Sequence, residues 1–237
     1  MASVGLVLVS HSAKIAEGLV ELARQMAPTV ALVAAGGTDE GGIGTSFDRV
    51  TAAIDEADHG DGVAIFCDLG SAILTAETAL DFLEDPSRVR IVDAPLVEGA
   101  VAGAVAAEGG GSLDDVVAAG ESARGAELQR AGAGSSPPGG ASPSGSPVAA
   151  QSGPVTETAT LVNREGLHAR PAAEFVKLAG SFDAQVTVNG VDAKSLLGIM
   201  SLGLTAGDAV ELSATGPQAA EAVGALGALV RSGFGES

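Results

Sequence analysis

An uncharged segment rich in small and turn-forming residues divides this chain of 237 residues into two parts. Residues 131–154 read AGAGSSPPGGASPSGSPVAAQSGP, which includes five of the ten prolines together with six glycines and six serines. Such a segment cannot bury enough apolar surface to offset the entropy that is lost on ordering. It therefore predicts a linker between two folded domains, at residues 1–130 and 155–237, each long enough to enclose its own core.

The charge of the chain excludes several classes of partner. The chain carries 30 acidic and 12 basic residues, a formal net charge of −18. Such a charge would repel nucleic-acid backbones and anionic membranes. Trp and Tyr are both absent, so side chains on which bases could stack are scarce.

Other features of the composition predict a cytoplasmic protein. The single cysteine, Cys67, rules out an internal disulfide framework and suits a reducing compartment. The apolar run at residues 4–9 is too short for a secretory signal, and no basic residue precedes it. No apolar run approaches the roughly 18–20 residues that a membrane-spanning helix requires.

Strand and helix patterns alternate regularly through the first domain. Short apolar runs predict buried parallel strands, and apolar residues at helical spacing follow the first three of them. The predicted strands are Val4–Val9, Val30–Ala34, Val63–Cys67 and Val89–Val92, and the predicted helices lie around Ile15–Met26, Phe47–Ile54, Ile73–Leu83, 98–107 and 113–126. This β-α-β alternation predicts an α/β fold, a parallel sheet with helices on both faces.

Three loops of this domain should open on one edge of the sheet, because ligands meet parallel sheets at the carboxyl ends of the strands. These loops follow the first three strands and carry His11, the glycine-rich segment 36–45 with Thr45, and Asp68 with Gly70 and Ser71. Two of the loops also open helices, whose free N–H groups favour an anion. The glycine-rich segment matches neither G-x-x-x-x-G-K-[ST] nor G-x-G-x-x-G, so nothing indicates a nucleotide site.

These side chains suit phosphoryl transfer through a histidine. A neutral imidazole nitrogen can attack phosphorus, while a carboxylate holds the other ring nitrogen with its proton. Asp68 is the candidate holder for His11, and hydroxyl and N–H groups are available for the phosphoryl oxygens. An ordinary turn histidine beside a strand end is about equally consistent with the position of His11 alone.

The second domain combines short strands and helices in a different order. The predicted strands are Thr158–Val162, Gln185–Val188 and Ala209–Ser213. Helical spacing predicts helices that begin just after His168, at Leu196–Leu202 and after Pro217. The order β-α-β-(β)-α-β-α predicts an α+β domain, a small antiparallel sheet covered by helices on one face.

His168 is a second candidate, at the start of one of these helices, and Arg170 follows it two residues later. The dipole and free N–H groups of a helix N-terminus favour a phosphoryl group on that ring. A guanidinium group supplies a positive fork for the phosphoryl oxygens. The alternative is a solvated helix cap without chemistry.

The motif around His168 resembles the active-site signature of HPr, the histidine phosphocarrier of the phosphoenolpyruvate-dependent phosphotransferase system. The signature is EGLHARPA at residues 165–172, and DAKSLLGIMSL at residues 192–202 resembles the second HPr motif. The resemblance covers residues 155–237 and implies an open-faced β-sandwich, in which His168 accepts a phosphoryl group from enzyme I with help from Arg170. It also places Ser195 at the position of a regulatory serine, for which a plain helix N-cap is the alternative.

The first domain resembles the mannose-type IIA fold and, more closely, the DhaM family, the phosphoryl-donor subunits of phosphoenolpyruvate-dependent dihydroxyacetone kinases. Five blocks carry this resemblance: LVSHS at 8–12, EGLVELARQM at 17–26, GIGT at 42–45, DLGSAILTAETAL at 68–80 and APLVEG at 94–99. It implies that His11 is phosphorylated, with Asp68 beside it and with Thr45, Gly70 and Ser71 in supporting positions. It also implies a homodimer formed through this domain.

Together the two resemblances imply a phosphoryl relay. Enzyme I, expected on a separate polypeptide, would phosphorylate His168, which would pass the group to His11. His11 would then rephosphorylate ADP on a DhaL-type subunit, so that dihydroxyacetone on a DhaK-type subunit becomes phosphorylated. Such a phosphotransferase subunit would hold no cofactor durably, since the phosphoryl group originates in phosphoenolpyruvate. Two alternatives are a IIA–HPr component of a mannose-type sugar transporter and a regulatory phosphohistidine module.

Three further features have simpler interpretations. His59 lies in a turn without further ligands at metal spacing, which indicates a solvated loop histidine and no metal site. Cys67 is expected to pack as a small apolar residue near the candidate site. The apolar stretch Ala94–Ala107 would form either a dimer interface or ordinary core.

Overall fold

A computed structural model describes residues 3–132, 154–164 and 166–235, with side chains through residue 124 in the first range. Most of the predicted linker lies outside the described residues, as does Glu165 of the EGLHARPA motif, so the linker stays a prediction. The last helix of the first domain continues to Gly132, two residues into the segment assigned to the linker. Within the described ranges, no helix combines the length and the apolar character needed to cross a membrane.

The first domain is the predicted α/β unit. Its elements are β1 (Gly5–Ser10), α1 (Ala13–Arg24), β2 (Leu32–Gly36), α2 (Phe47–Ala57), β3 (Val63–Cys67), α3 (Gly70–Leu80), β4 (Val89–Val92), α4 (Leu96–Glu108) and α5 (Leu113–Gly132). The strands pair in the order β2-β1-β3-β4, and every pair is parallel. This arrangement confirms the predicted fold class of the domain.

Apolar residues on both faces of the sheet explain why helices cover it on both sides. All six residues of β1 are buried, and successive side chains of a strand point to opposite faces. Leu6 and Leu8 pack into a core with α1, α4 and α5, whereas Val7 and Val9 pack into a second core with α2 and α3. Because both faces are covered, the edge where strands meet loops is left for a functional site.

Small residues allow α4 and α5 to approach the sheet closely. Phe66 on β3 is fully buried under these helices, and a Cβ atom at Gly103 or Gly120 would lie 2.8 or 2.7 Å from its ring. Helix α4 contacts β1, β3, α1 and α5, and also two helices of the second domain. The stretch Ala94–Ala107 is therefore covered within the chain, which supports the core interpretation.

The second domain has the predicted order of elements. These are β5 (Val155–Thr160), α6 (Ala169–Gly180), β6 (Gln185–Val188), β7 (Val191–Asp192), α7 (Leu196–Ser201), β8 (Ala209–Thr215) and α8 (Ala219–Arg231). The strands form an antiparallel sheet in the order β5-β8-β6-β7. Buried and more exposed residues alternate along β8, as expected where helices cover one face of a sheet and the other stays open.

Two strands lie a few residues from their predicted positions. The apolar run Val30–Ala34 predicts a strand, but β2 covers Leu32–Gly36, where it pairs with β1. Similarly, the strand predicted at Thr158–Val162 forms instead at Val155–Thr160, where it pairs with β8. The limits of each strand are set by its register with the partner strand. This register cannot be predicted from the local hydrophobic pattern of one strand.

Candidate active site

The His11 site is built where β1 and β3 end side by side. The two strands pair in parallel with Val9 opposite Cys67, so His11 and Asp68 emerge at the same edge of the sheet. The backbone N–H of Asp68 donates to the Val9 carbonyl at 3.2 Å. Strand pairing thus brings together a histidine and a carboxylate that are 57 positions apart in the sequence.

The Asp68 carboxylate accepts four hydrogen bonds. Its Oδ1 lies 2.9 Å from Nδ1 of His11 and accepts from the Leu69 backbone N–H at 2.7 Å. Its Oδ2 accepts from the His11 backbone N–H at 2.9 Å and from the Ser10 hydroxyl at 2.8 Å. Burial alone would raise the pKa of this carboxyl, but these donors, chiefly His11, hold the pKa below its ordinary value. Asp68 is therefore an ionised acceptor near neutral pH.

These contacts determine which nitrogen of the His11 ring can react. Because an ionised carboxylate only accepts hydrogen bonds, Nδ1 carries the proton and donates it to Asp68. Nε2 then keeps its lone pair, and the Ser71 hydroxyl donates to it across 2.7 Å. The His11 side chain is 21% exposed. The sheet edge thus fixes one side of the ring, and Nε2, the nitrogen that keeps its lone pair, faces the start of α3.

The start of α3 supplies groups that suit a phosphoryl oxygen. Gly70 and Ser71 form the first turn of the helix, where backbone N–H groups have no carbonyl partner one turn earlier. A Cβ atom at Gly70 would meet nothing within 4 Å, so the approach to this turn is open. The N–H groups and the Ser71 hydroxyl together resemble the anion sites found at helix N-termini.

The glycine-rich loop after β2 reaches the site through hydrogen bonds. The Gly44 N–H donates to the His11 carbonyl at 2.9 Å. The Thr45 hydroxyl lies 2.8 Å from that of Thr75, which donates to the Ser71 carbonyl at 3.0 Å. Thr45 therefore supports the first turn of α3 through Thr75 rather than acting at the ring.

Sequence reasoning assigned no individual role to two residues of this site, Ser10 and Thr75. Ser10 is fully buried, and its hydroxyl donates to Asp68 and accepts from the Ser12 N–H at 3.1 Å. A polar residue that ends a buried apolar strand was the available signal, because buried hydroxyls require partners. Thr75 lies four residues after Ser71, a spacing that becomes informative only once the helix is placed.

Two other reactive residues of the first domain stay outside the chemistry of this site. Cys67 is buried, and this burial, together with the charges of Asp68 and Glu77, raises the pKa of the thiol to about 12. It therefore stays protonated and packs as a small apolar side chain. His59 is exposed in the turn before β3. Across the described ranges, no group of three or more His, Cys, Asp or Glu side chains could hold a metal ion.

The His168 site is shaped by a short loop between β5 and α6. Gly166 has a φ of +71°, and a Cβ atom there would collide with the Leu204 carbonyl, so this position requires glycine. The Leu167 N–H donates to the same carbonyl at 3.0 Å. The buried Asn163 amide donates to the Gly166 carbonyl at 2.6 Å, a contact that sequence reasoning missed. Backbone contacts thus fix the loop that presents the histidine.

His168 is the N-cap of α6, as predicted. Its backbone is extended, and its carbonyl accepts from the Ala172 N–H at 2.9 Å. Arg170 is exposed in the first turn, and Pro171 is buried there, where its missing N–H costs no helical hydrogen bond. A phosphoryl group on this ring would lie at the positive end of the helix, with the guanidinium two residues away.

Ser195 caps the next helix of the second domain. Its hydroxyl accepts from the Gly198 N–H at 3.2 Å at the start of α7. This contact establishes the N-cap that the sequence offered as one interpretation of this serine. A regulatory role for Ser195 stays a prediction.

Comparison with known families assigns both halves of the chain. Residues 5–117 match the family described as the PTS system fructose IIA component, and residues 155–232 match the one described as the PTS HPr component phosphorylation site. With a histidine at a helix start in each domain, the chain is of the phosphotransferase-system class, with one IIA-type and one HPr-type domain.

Curated relatives narrow this class to one family. The PEP-dependent dihydroxyacetone kinase phosphoryl donor subunit DhaM of Pantoea ananatis is 39% identical over 98% of this chain, which covers 51% of that protein. A DhaM of Listeria innocua is 46% identical over 43% of this chain and 84% of its own length. The phosphocarrier protein HPr of Cupriavidus necator is 47% identical over 32% of this chain and 91% of its own length.

The chain therefore belongs to the DhaM family, which confirms the resemblance drawn from its motifs. It spans about half the length of the longer DhaM relatives that it matches.

Proposed function

We propose that this chain relays phosphoryl groups from phosphoenolpyruvate toward dihydroxyacetone, as a phosphotransferase subunit that acts through two phosphohistidines. The observation that carries the proposal is the His11 ring, held at Nδ1 by Asp68 with Nε2 directed at the start of α3. Membership of the DhaM family, whose members are named phosphoryl donor subunits, supports the direction of the relay.

In the first step, His168 takes the group from enzyme I. A ring nitrogen of His168 attacks the phosphorus, and a new N–P bond forms as the N–P bond of the donor breaks and its electron pair returns to the donor ring. Charge on the three phosphoryl oxygens is stabilised by the N-terminus of α6 and by Arg170. Positioning and electrostatics therefore supply most of the catalysis.

In the second step, Nε2 of His11 attacks the phosphorus carried by His168, and the N–P bond of His168 breaks as its electron pair returns to the His168 ring. The His11 ring becomes positively charged as its N–P bond forms, and Asp68, bonded to Nδ1–H, stabilises that charge. The Ser71 hydroxyl, released from Nε2, then donates to a phosphoryl oxygen. Asp68 thus acts on the ring, and Ser71 acts on the transferred group.

In the third step, an oxygen of ADP on a DhaL-type subunit takes the group from His11, and the ATP formed phosphorylates dihydroxyacetone on a DhaK-type subunit. The His11–phosphorus bond breaks as the new O–P bond forms, and the ring regains its lone pair at Nε2. The relay requires no resident cofactor or metal. A homodimer through the first domain and a cytoplasmic location belong to the same proposal.

Reconstitution with enzyme I, phosphoenolpyruvate and the two kinase subunits tests this function. In His11→Ala, label should still reach His168 while dihydroxyacetone phosphate formation is lost. In His168→Ala, labelling from enzyme I should be lost. His59→Ala is the matched control, because this exposed loop histidine should leave both readouts unchanged.

Product formation by His11→Ala would overturn the assignment of His11. If label reaches His168 and then His11 but is not passed on when the kinase subunits are present, one of the alternatives is favoured, a transporter component or a regulatory module. The DhaM relatives favour the kinase assignment over both.

A further inference from the structure

The two domains pack against each other through helices. Helices α4 and α5 of the first domain contact α6 and α7 of the second. Leu197 on α7 is only 7% exposed, because it packs in a small cluster with Ala102 on α4 and Ala123 on α5. This cluster is separate from the larger cores. Leu197 therefore owes its burial to the neighbouring domain and would lose it if the domains separated.

An ion pair joins the domains at the end of α4. The Glu108 side chain is 4% exposed and accepts from the Lys177 ammonium at 3.0 Å. It also accepts from the backbone N–H and the hydroxyl of Thr29 at 3.0 and 2.8 Å. Burial alone would raise the pKa of Glu108, but the bonds from Lys177 and Thr29 hold it below its ordinary value. Since Thr29 fixes the carboxylate within the first domain, Lys177 meets an acceptor that is already in place.

The packing between the domains is incomplete. A cavity of about 520 Å³ lies between them, lined on one side by the turn at 109–111 and on the other by Lys194 and Ser195. Interfaces between domains of one chain usually permit relative motion unless they are large and well packed. The contact is specific in its residues, and opening it would expose apolar side chains that the two domains now share in one continuous cluster.

This packing holds the two histidines far apart. His11 lies two residues before α1, a helix of 12 residues that is about 18 Å long. Met26, just beyond the other end of α1, lines a pocket together with Arg170. Because Arg170 is two residues from His168, this histidine lies near the far end of α1, on the order of 20 Å from His11.

We infer that the docked arrangement is a resting state in which His168 cannot reach His11 of the same chain, and that the interface α4–α5/α6–α7 must open before the relay runs within one chain. Direct transfer requires reacting atoms about 3–3.5 Å apart on either side of one phosphorus. A separation several times larger excludes that step while the domains are docked. This inference rests on the proposed function, in which His168 donates to His11.

Cross-linking in the full chain tests whether the docked state exists. Ala123→Cys with Leu197→Cys places two thiols across the interface, while the native Cys67 stays unreactive because the pKa of its thiol is about 12. Because the two positions pack in one buried cluster, mild oxidation should join this pair in a disulfide that a reductant can cleave. The control pair, Leu74→Cys with Leu197→Cys, should not react, because α3 lies on the other face of the sheet. Equal yields for both pairs would overturn the inference.

The rate of label transfer then tests the consequence of docking. The cross-linked chain is phosphorylated at His168 by enzyme I, diluted, and followed for arrival of label at His11. We expect transfer within the chain to be at least about 100-fold slower than in the uncross-linked protein. Reduction of the engineered disulfide should restore the original rate. Unchanged transfer in the cross-linked chain would overturn this inference alone. Absence of label on His11 even in the uncross-linked chain would overturn the proposed function itself.

A substitution that opens the interface should raise the rate of transfer from His168 to His11, the opposite of the effect of the cross-link. Leu197→Asp places a charge in the apolar cluster between the domains and should raise the rate of transfer within the chain several-fold. Gln185→Asp adds the same charge at an exposed position of β6 and should leave that rate unchanged. A slower or equal rate in Leu197→Asp, with both domains still folded by circular dichroism, would contradict a resting state.

Discussion

The two histidine sites use the same local device but are held in place differently. His168 lies at the start of its own helix, α6, whereas His11 directs Nε2 at the start of α3, and in both places free backbone N–H groups favour a phosphoryl group. The His11 ring is oriented by side chains of a neighbouring strand end and helix, Asp68 and Ser71. The His168 backbone is placed by a loop whose own hydrogen bonds join it to Leu204.

This difference teaches where each site is vulnerable. Activity at His11 should depend on Asp68 and Ser71, which are remote in sequence, because they determine the tautomer of the ring and the orientation of Nε2. Activity at His168 should depend on the conformation of the loop that contains it. A substitution at one site can therefore prevent phosphorylation of its histidine without disturbing the structure around the other histidine.

The largest effect is expected from Asp68→Asn. The amide has one acceptor oxygen for the four donors that Asp68 now satisfies, and it no longer offsets the positive charge of a phosphorylated His11 ring. Transfer onto His11 should fall by at least about 100-fold, while label still reaches His168. Asp55→Asn, at an exposed position of α2, is the control and should transfer normally. Equal loss at both histidines would contradict the independence of the two sites.

Gly166→Ala should break the other side of the comparison. The positive φ and the Leu204 carbonyl leave no room for a methyl group, so we expect the free energy of unfolding of the second domain to fall by about 2 kcal/mol or more. Gly224→Ala, in the middle of α8 with nothing near the added methyl group, should instead stabilise it by about 0.5–1 kcal/mol. Denaturant titration measures both changes, and a neutral Gly166→Ala would contradict this account of the loop.

Arg170→Met should sharpen the role assigned to the first turn of α6. Loss of the guanidinium removes a charge-assisted contact to the phosphoryl oxygens, and phosphorylation of His168 by enzyme I should slow roughly tenfold. Arg170→Lys keeps the charge but lacks the planar fork of the guanidinium, so its rate of His168 phosphorylation should lie between those of the wild type and Arg170→Met. Single-turnover labelling measures these rates, and a wild-type rate in Arg170→Met would remove Arg170 from the site.

Ser195→Ala should have a smaller effect, on stability alone. The substitution removes the N-cap of α7 and should lower the free energy of unfolding by about 1 kcal/mol, whereas Ser195→Asp, also a good N-cap, should preserve it. Thermal or denaturant unfolding decides between these outcomes. An equal loss in both variants would show that the hydroxyl does more than cap the helix.

The pH dependence of the His11 site should be the smallest effect at neutral pH. Because the pKa of Asp68 is lowered in the folded protein from an ordinary value of 3.8, its ionised form contributes stability that is fully present above that pH. This contribution is lost as the pH falls through the lower, folded value. The melting temperatures of wild type and Asp68→Asn should therefore converge below pH 3.8. A constant difference down to the acid limit would contradict this linkage.

Local patterns were enough to predict the elements that carry both sites. The run Val63–Cys67, which leads into Asp68, is a strand with those limits, and helices begin just after His168 and close after His11. The partnership of His11 with Asp68 was predictable, because consecutive parallel strands often lie side by side. The register of β2 was not predictable, since it depends on β1 rather than on its own apolar residues.

The parts that were missed share one physical reason. Ser10, Thr75 and Asn163 act through hydrogen bonds whose geometry exists only after the chain has folded. Thr45 was correctly placed near the site, but its contact is with Thr75. The docking of the two domains through Leu197 left no mark in the sequence, because an apolar residue on a short helix is ordinary in any core.

The sequence by itself determined that two domains form on either side of a polar, proline-rich segment, and that each presents a histidine at a helix start. These properties depend on hydrophobic periodicity and helix-start signals within a few neighbouring residues. Only the tertiary structure decided that Nε2 is the unprotonated nitrogen of His11 and that the docked domains keep His168 away from it. Both outcomes depend on residues that are far apart in sequence, such as Ser71, 60 positions from His11, and Lys177, 69 positions from Glu108.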